Sequence, residues 1–193
     1  MLTKAQITIV GTRPMLWCSF PLDALSSSKS KEGSSGSNKD EWKKTVLMMP
    51  DRQLYVHSSY IVKSITDGAK LIKEGRGSIA KKVGSSLIGL EDKILIKNRF
   101  VPEEDKLTKL DQDEVYIDLR SVVNPMTKGR NLRYRIAAKA GWELTTTLSW
   151  HPRLASSDQI KESAINAGLM EGIGDGRKIG FGRFEVKEFK VLK

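Results

Sequence analysis

Apolar and polar positions alternate almost from the first residue. In AQITIVG (residues 5–11) Ile7 and Ile9 face one way and Thr8 and Val10 the other, which predicts a strand. Gly11 and Pro14 break the alternation, as at a bulge or an edge. Residues 26–40 (SSSKSKEGSSGSNKD) hold nothing apolar, cannot offset ordering entropy by burial, and read as a mobile loop. QLYV (residues 53–56) predicts a short strand, and SSYIVKSITDGAKLIKEG (residues 58–75) a helix. Its buried stripe is Ile61, Ile65, Ala69 and Ile72, with Ser58 or Ser59 as N-cap and Gly75 as the stop. Lys63, Lys70 and Lys73 decorate the opposite side. The glycine-, serine- and lysine-rich residues 76–89 are expected to be partly helical. Strands are expected over 93–99, 115–123, 132–139 and 142–150, the last two joined by an Ala140-Gly141 turn. SSDQIKESAINAG predicts a second helix, with Ser156 and Gln159 as a capping box and Ile160, Ala164 and Ala167 as its apolar face. Gly168 is its expected stop, and the chain ends in a strand, FGRFEVKEFKVL.

Stripped of insertions, these elements read β-α-β-β-α-β. That order predicts an α+β, ferredoxin-like (RRM-like) fold, an antiparallel sheet with two helices on one face, plus inserted loops and a β-hairpin. One domain over residues 1–193 is expected, with the low-complexity loop at 26–40 and an inserted segment at 76–130. A chain of 193 residues with 39% hydrophobic content can bury one ordinary core.

The charge narrows the function. Thirty-three Lys and Arg against 23 Asp and Glu give a net charge of +10, which favours a polyanionic partner. Nucleic acid fits better than a membrane, because there is neither a long apolar run nor an amphipathic basic helix. The apolar stretch near the start is too short for a signal peptide. The single cysteine, Cys18, excludes an internal disulfide and a cysteine-rich zinc site and reads as a core residue of the first strand. A reduced, cytoplasmic setting is the plain expectation.

The densest chemical signal is GIGDGRKIGFGRFEV (residues 172–186). Gly172, Gly174, Gly176, Gly180 and Gly182 are interleaved with Arg177, Lys178 and Arg183. Glycines let backbone N–H groups approach a phosphate, and the basic side chains add charge and donors. The same residues also suit a tight helix-to-strand connection. A dinucleotide fingerprint does not fit, since the glycines follow a helix and precede a strand. There is no phosphate-loop lysine-serine pair either, so no cofactor is expected. Ser58 and Ser59 with nearby lysines make the first helix's N-terminus a second anion site. From residue 121 to 142 there are five basic residues (Lys128, Arg130, Arg133, Arg135, Lys139) and no acidic one. Arg133 and Arg135 share one strand face, with Tyr134 on the other. With Trp142 and Trp150 nearby, this strip suits a backbone-tracking, base-stacking groove, the alternative being that the tryptophans are core. DQDE (residues 111–114) reads as a solvated turn.

The glycine run resembles the C-terminal glycine-rich loop of the RAMP superfamily, the RNA-binding proteins of CRISPR effector complexes, which are built on ferredoxin-like domains. LYVHSSYIVKSITDGA (residues 54–69) is similar to the strand-to-helix junction of that superfamily's backbone subunits. Val56, Ser58, Ser59, Ile61 and Lys63 fall on the pattern, and His57 stands where it has proline. The middle of the chain does not match.

The resemblance implies single-stranded RNA as the partner, a guide RNA among the candidates. Phosphates would lie near Ser58, Ser59 and Lys63 and near Gly174, Gly176, Arg177, Lys178, Gly180, Gly182 and Arg183. The basic strip adds Arg130, Arg133 and Arg135. The implied role is a subunit or self-assembling backbone of a CRISPR-type ribonucleoprotein, with self-association or other effector subunits as partners.

Two alternatives stay open. One is a phage or mobile-element protein that mimics or blocks effector assembly. The other is a metal-independent, repeat-processing endoribonuclease with His57 as general base. His151 precedes Pro152 in a turn and has no evident partner. Asp23 and Asp40 flank the loop where some RNA-cleaving relatives carry a catalytic aspartate, but neither aligns and neither receives that role. Binding without catalysis or metal is the preferred reading.

Overall fold

The computed structural model describes residues 1–19, 39–123, 126 and 128–192. The expected loop at 26–40 therefore falls, except for its last two residues, outside the described residues. In chain order the elements are β1 (Thr3–Gly11), β2 (Met15–Leu16), α1 (Glu41–Thr45), β3 (Gln53–His57) and α2 (Ser58–Gly68). Next come β4 (Lys73–Glu74), β5 (Gly77–Ser78), α3 (Ala80–Ser86), β6 (Ile88–Gly89) and β7 (Lys93–Phe100). The chain finishes with β8 (Val115–Val123), β9 (Arg130–Ala138), β10 (Glu143–Trp150), α4 (Ser157–Asn166) and β11 (Phe184–Leu192).

The fold is mixed α and β with antiparallel sheets. The main sheet runs β11-β1-β10-β7-β3, with β6 beside β10; a second runs β2-β9-β8, and β4 and β5 form a small hairpin. Alternation explains the layering. Ala5, Ile7 and Ile9 of β1, Ile94 and Ile96 of β7, and Leu144, Leu148 and Trp150 of β10 are all buried. They pack with Ile61 and Ile65 of α2 and Ile160 and Ala164 of α4, and the cluster continues into Ile117, Tyr134 and Ile136 of the second sheet. The capping box on α4 forms as expected: the Gln159 amide donates to Ser156 Oγ (3.2 Å), and the Ser156 amide donates to Gln159 Oε1 (2.9 Å). Near the second sheet, α1 is pinned by buried Trp42 and by an ion pair from Glu41 to Arg133. The Ser19 amide donates to the Thr45 carbonyl (2.8 Å), which ties the residues after β2 to the end of α1.

Several expectations are corrected. β9 and β10 do not form a hairpin; at Ala140-Gly141 the chain crosses from one sheet to the other. Gly141 takes φ +91 and donates to the Gly11 carbonyl (2.7 Å), and Trp142 then lies against Gly11, where a Cβ would stand 2.1 Å from the indole. The break at Gly11 is not a sheet edge, because β1 is interior; the irregularity is a bulge against β11 between Thr8 and Ile9. No serine caps α2. His57 holds the cap position with extended backbone, and the Ser58 amide donates to the Asp92 carbonyl (3.1 Å).

Glycine also acts differently at both helix ends. α2 ends at Gly68, followed by a 3-10 turn over Ala69–Leu71, and Gly75 (φ +55) turns the β4-β5 hairpin instead. After α4 the chain makes a π-helical turn over Ala167–Glu171, and the left-handed residue that stops it is Gly172 (φ +73), not Gly168. Gly168 is small for contact, since a Cβ there would meet the Phe184 carbonyl at 2.2 Å. Cys18 is exposed beyond β2, not buried in a strand.

The backbones of α2 and α4 touch at Gly68, where a Cβ would lie 2.3 Å from the Ser163 carbonyl oxygen. Gly68→Ala is expected to destabilise the protein by about 1–3 kcal/mol, because overpacking outweighs the gain in helix propensity. Gly77→Ala, whose nearest neighbour is 3.9 Å away, is the control and should stay within about 0.5 kcal/mol. Urea midpoints followed by circular dichroism separate the two; equal midpoints would contradict the close crossing.

Candidate nucleic-acid interface

The N-terminal turn of α2 and the glycine loop are distant in sequence and adjacent in space. Ser59, Tyr60 and Lys63 from the helix, with Ile173, Gly174 and Arg177 from the loop, line a cavity of about 350 Å³. Ser64, buried on α2, donates through Oγ to the Gly172 carbonyl (2.8 Å) and fixes the loop to the helix.

The loop's own geometry explains its composition. Gly172, Gly174, Gly176, Gly180 and Gly182 all have φ between +67 and +92, a region that side chains with Cβ rarely occupy. Much of the backbone is already paired. Ile173 donates to Gly182 (3.0 Å), Asp175 to Leu16 (2.9 Å), Gly182 to Pro14 (2.7 Å) and Phe181 to Gly176 (3.3 Å). Gly174 and Gly176 are the predicted glycines whose amides donate to no acceptor among the described residues, and Gly174 faces the cavity. Gly182 is committed internally, and Gly180 and Arg183 line a different cleft on the loop's far side.

One buried carboxylate organises the cations. Asp67 accepts from Lys63 (2.7 Å) and Lys70 (2.8 Å), with the Arg177 guanidinium 3.9 Å away. Burial pushes the Asp67 pKa up, but the two lysine hydrogen bonds outweigh it and hold the carboxyl below its ordinary value. Lys63 remains 61% exposed, so its ammonium still meets solvent at the cavity mouth. Lys178, which follows Arg177 on the 3-10 turn Arg177–Ile179, is exposed. Tyr60 is half-buried, and burial pushes its phenol up, so it offers a neutral hydroxyl at ordinary pH.

The basic strip on β9 is not free. Arg133 and Arg135 share a face as expected, but Arg133 is paired with Glu41 and Arg135 with Asp175. Across the ladder Arg120 is held by Asp118 (2.8 Å), and Lys139 donates to the Gln112 carbonyl (3.1 Å). Arg130 is exposed at the start of β9, away from the loop cavity's lining.

The stacking role is overturned. Tyr134, Trp142 and Trp150 are core residues, and the two indoles donate to the carbonyls of Arg13 (2.9 Å) and Ala155 (3.1 Å). His57 is partly exposed, edge-on to Tyr55 and Tyr60, with Nδ1 3.7 Å from Asp92. His151 accepts the Arg153 amide in its turn, and Asp40 is 3.1 Å from Lys43. Asp23 lies outside the described residues. Residues 111–114 do form a turn before β8, with Glu114 paired to Arg99.

Tyr60, Ser64 and Asp67 were not among the residues singled out from sequence. Asp67 had a legible signal: Lys63, Asp67 and Lys70 stand at i, i+4 and i+7 in KSITDGAK, which brings a carboxylate between two ammonium groups. Tyr60 and Ser64 had none, because their roles depend on where the glycine loop docks.

Two antiparallel sheets joined through this loop, with α2 and α4 packed together, are the arrangement to set against known structures. No family model matches the sequence, and no curated protein does. By structure the chain is similar to one in "Cryo-EM structure of the Type III-B Cmr-beta bound to cognate target RNA", at TM-score 0.58 and 11% identity. That alignment covers 100% of this chain and 61% of the other, so the present chain spans about three fifths of that one's length. It is also similar to Cmr6 from Pyrococcus furiosus, at TM-score 0.49 and 8% identity over 96% of this chain and 99% of that one. The first likeness shows that the two chains share a fold. Among the described residues no helix is long and apolar enough to cross a membrane.

Because the Asp67 pKa is depressed on folding, its ionised form adds stability above the unfolded value, near 4, and loses it as pH falls through the folded value. Asp67→Asn should therefore lower the urea-unfolding stability by about 1 kcal/mol at neutral pH, a modest figure because both lysines are solvated. The gap between wild type and variant should close as pH drops below about 4. A gap that stays constant down to acid would show that the ion pairs do not set it.

Proposed function

We propose that this chain is a single-stranded RNA-binding, RAMP-like protein that works within a CRISPR-type ribonucleoprotein, as a subunit or self-assembling backbone, in the cytoplasm. The observation that carries this reading is the convergence of the α2 N-terminus and the glycine loop on one cavity, with Lys63 and Arg177 at its wall. Each segment had suggested a phosphate site separately, and their meeting is what a strand backbone crossing both would require. The strand order β11-β1-β10-β7, with α2 and α4 packed together, supports reading the core as one ferredoxin-like domain whose β8-β9 ladder is an insertion. The likeness to a chain from an RNA-bound Cmr-beta assembly supports the choice of RNA and of effector subunits as partners. Ser58, Ser59, Lys63, Gly174, Gly176, Arg177 and Lys178 form the proposed contact surface. Arg135 serves it indirectly by anchoring Asp175 inside the loop, whereas Arg133 is paired with Glu41 of α1.

Fluorescence anisotropy with a labelled, unstructured oligoribonucleotide over a salt series tests the proposal. On a single strand log K falls with log salt by about 0.7 per neutralised phosphate. Lys63→Ala and Arg177→Ala should each flatten that slope by about 0.7 and weaken all sequences alike. Arg133→Ala should leave the slope as it is, because its charge is already spent on Glu41. Slopes unchanged in both Lys63→Ala and Arg177→Ala would overturn the assignment.

A further inference from the structure

The glycine loop has a second side. Behind it opens a cleft of about 740 Å³, more than twice the volume of the cavity at α2. It shares no lining residue with that cavity. Three arginines from separate parts of the chain reach it: Arg13 from the β1-β2 connection, Arg120 from β8 and Arg183 from the end of the glycine loop. Backbone holds two of them together, since the Thr12 and Arg13 amides both donate to the Arg183 carbonyl (2.8 and 3.3 Å).

The three differ in a useful way. Arg120 lies over the Phe181 ring, 4.5 Å from its centroid, while its Nε donates to both oxygens of Asp118 (2.8 and 3.0 Å). It is a guanidinium fixed on one face by an aromatic ring and along one edge by a carboxylate. Arg183 carries a buried Nη1 with no acceptor among the described residues, a costly state that a phosphate oxygen would relieve after a small turn of the guanidinium. Two carboxylates, Asp111 and Glu185, complete the polar lining. Gly180 lines the same cleft, and a Cβ there would meet nothing within 4 Å, so the floor is open at that point.

A bare inorganic anion suits such a mixed lining poorly, because the two carboxylates would oppose it. A molecule with one anionic end and one planar end bearing hydrogen-bond donors suits it well. We propose that this cleft binds a nucleotide, the base stacked on the outer face of the Arg120–Phe181 pair and the phosphate taken by Arg13 and Arg183. Asp111 and Glu185 then accept from amino or imino groups of the base. The nucleotide is either a free mononucleotide or one unit of a bound strand; the recognition chemistry is common to both. The free-mononucleotide case does not rest on the function proposed above, whereas the strand case does; the residues that carry that function line a separate cavity.

Isothermal titration of the full chain with guanosine 5′-monophosphate, inorganic phosphate and an oligouridylate separates the cases. Arg120→Lys keeps a charge for Asp118 while removing the stacking plane, and Arg13→Ala removes a phosphate donor without touching the core. Loss of base stacking should weaken guanosine 5′-monophosphate by about tenfold in Arg120→Lys. Arg13→Ala should weaken it as well, and Lys161→Ala, at an exposed position of α4 that lines neither cavity, should leave it unchanged. That result assigns a free nucleotide. If the mononucleotide does not bind but oligouridylate affinity drops in Arg120→Lys at an unchanged salt slope, the occupant is a unit of the strand. If inorganic phosphate binds as tightly as the mononucleotide, the cleft is an anion patch and the proposal fails. It fails too if neither cleft variant alters binding of mononucleotide or oligouridylate, whereas the α2 cavity would then stand or fall on Lys63→Ala and Arg177→Ala alone.

Discussion

Among the described glycines the closest backbone approach lies within the loop between α4 and β11, where a Cβ on Gly182 would stand 1.8 Å from the carbonyl oxygen of Ile173. No side chain of any kind fits there, and the left-handed backbone at all five loop glycines excludes one independently. Everything that meets at the loop depends on this self-contact. Pro14 and Leu16 accept its amides, which ties it to the strand that borders the second sheet; Ser64 ties it to α2. The relative position of helix, main sheet and second sheet therefore passes through eleven residues, 172–182, of which five are glycine.

Charge is distributed by the same geometry. The net charge of +10 invites the view that any basic stretch is available to a polyanion. Around the loop that view fails, because Glu41 and Asp175 arrive from other parts of the chain to neutralise Arg133 and Arg135. Beside α2, by contrast, one carboxylate, Asp67, faces Lys63, Lys70 and Arg177 together. A carboxylate with three cationic neighbours orients them at a smaller loss of net charge than three separate pairs would impose.

Local periodicity was readable wherever one face of an element is buried and the next residues break it. The strand at Ile7 and Ile9, the capping box at Ser156 and Gln159, and the glycine run before the last strand all follow from nearest neighbours in sequence. The failures share a cause, which is that the deciding partner is remote. Ala140-Gly141 reads as a hairpin turn until Gly11 and Trp142 claim the space and send β10 to another sheet. Gly68 and Gly168 carry no sign that α4 and Phe184 press on them. Trp142 and Trp150 offered aromatic faces to a ligand only for as long as their burial was unknown. The two halves of the α2 cavity were each legible, but their meeting was not, since it depends on the Ser64 hydroxyl reaching the Gly172 carbonyl.

The hydrogen bond from Ser19 to Thr45 has a different kind of importance. It ties the residue just past β2 to the end of α1, a helix that Trp42 and the Glu41–Arg133 pair hold against the second sheet. The bond is made by backbone atoms at both ends, so it does not depend on which side chains stand at those two positions. Sequence change at Ser19 or Thr45 that keeps the backbone path therefore leaves this tie between β2 and α1 in place.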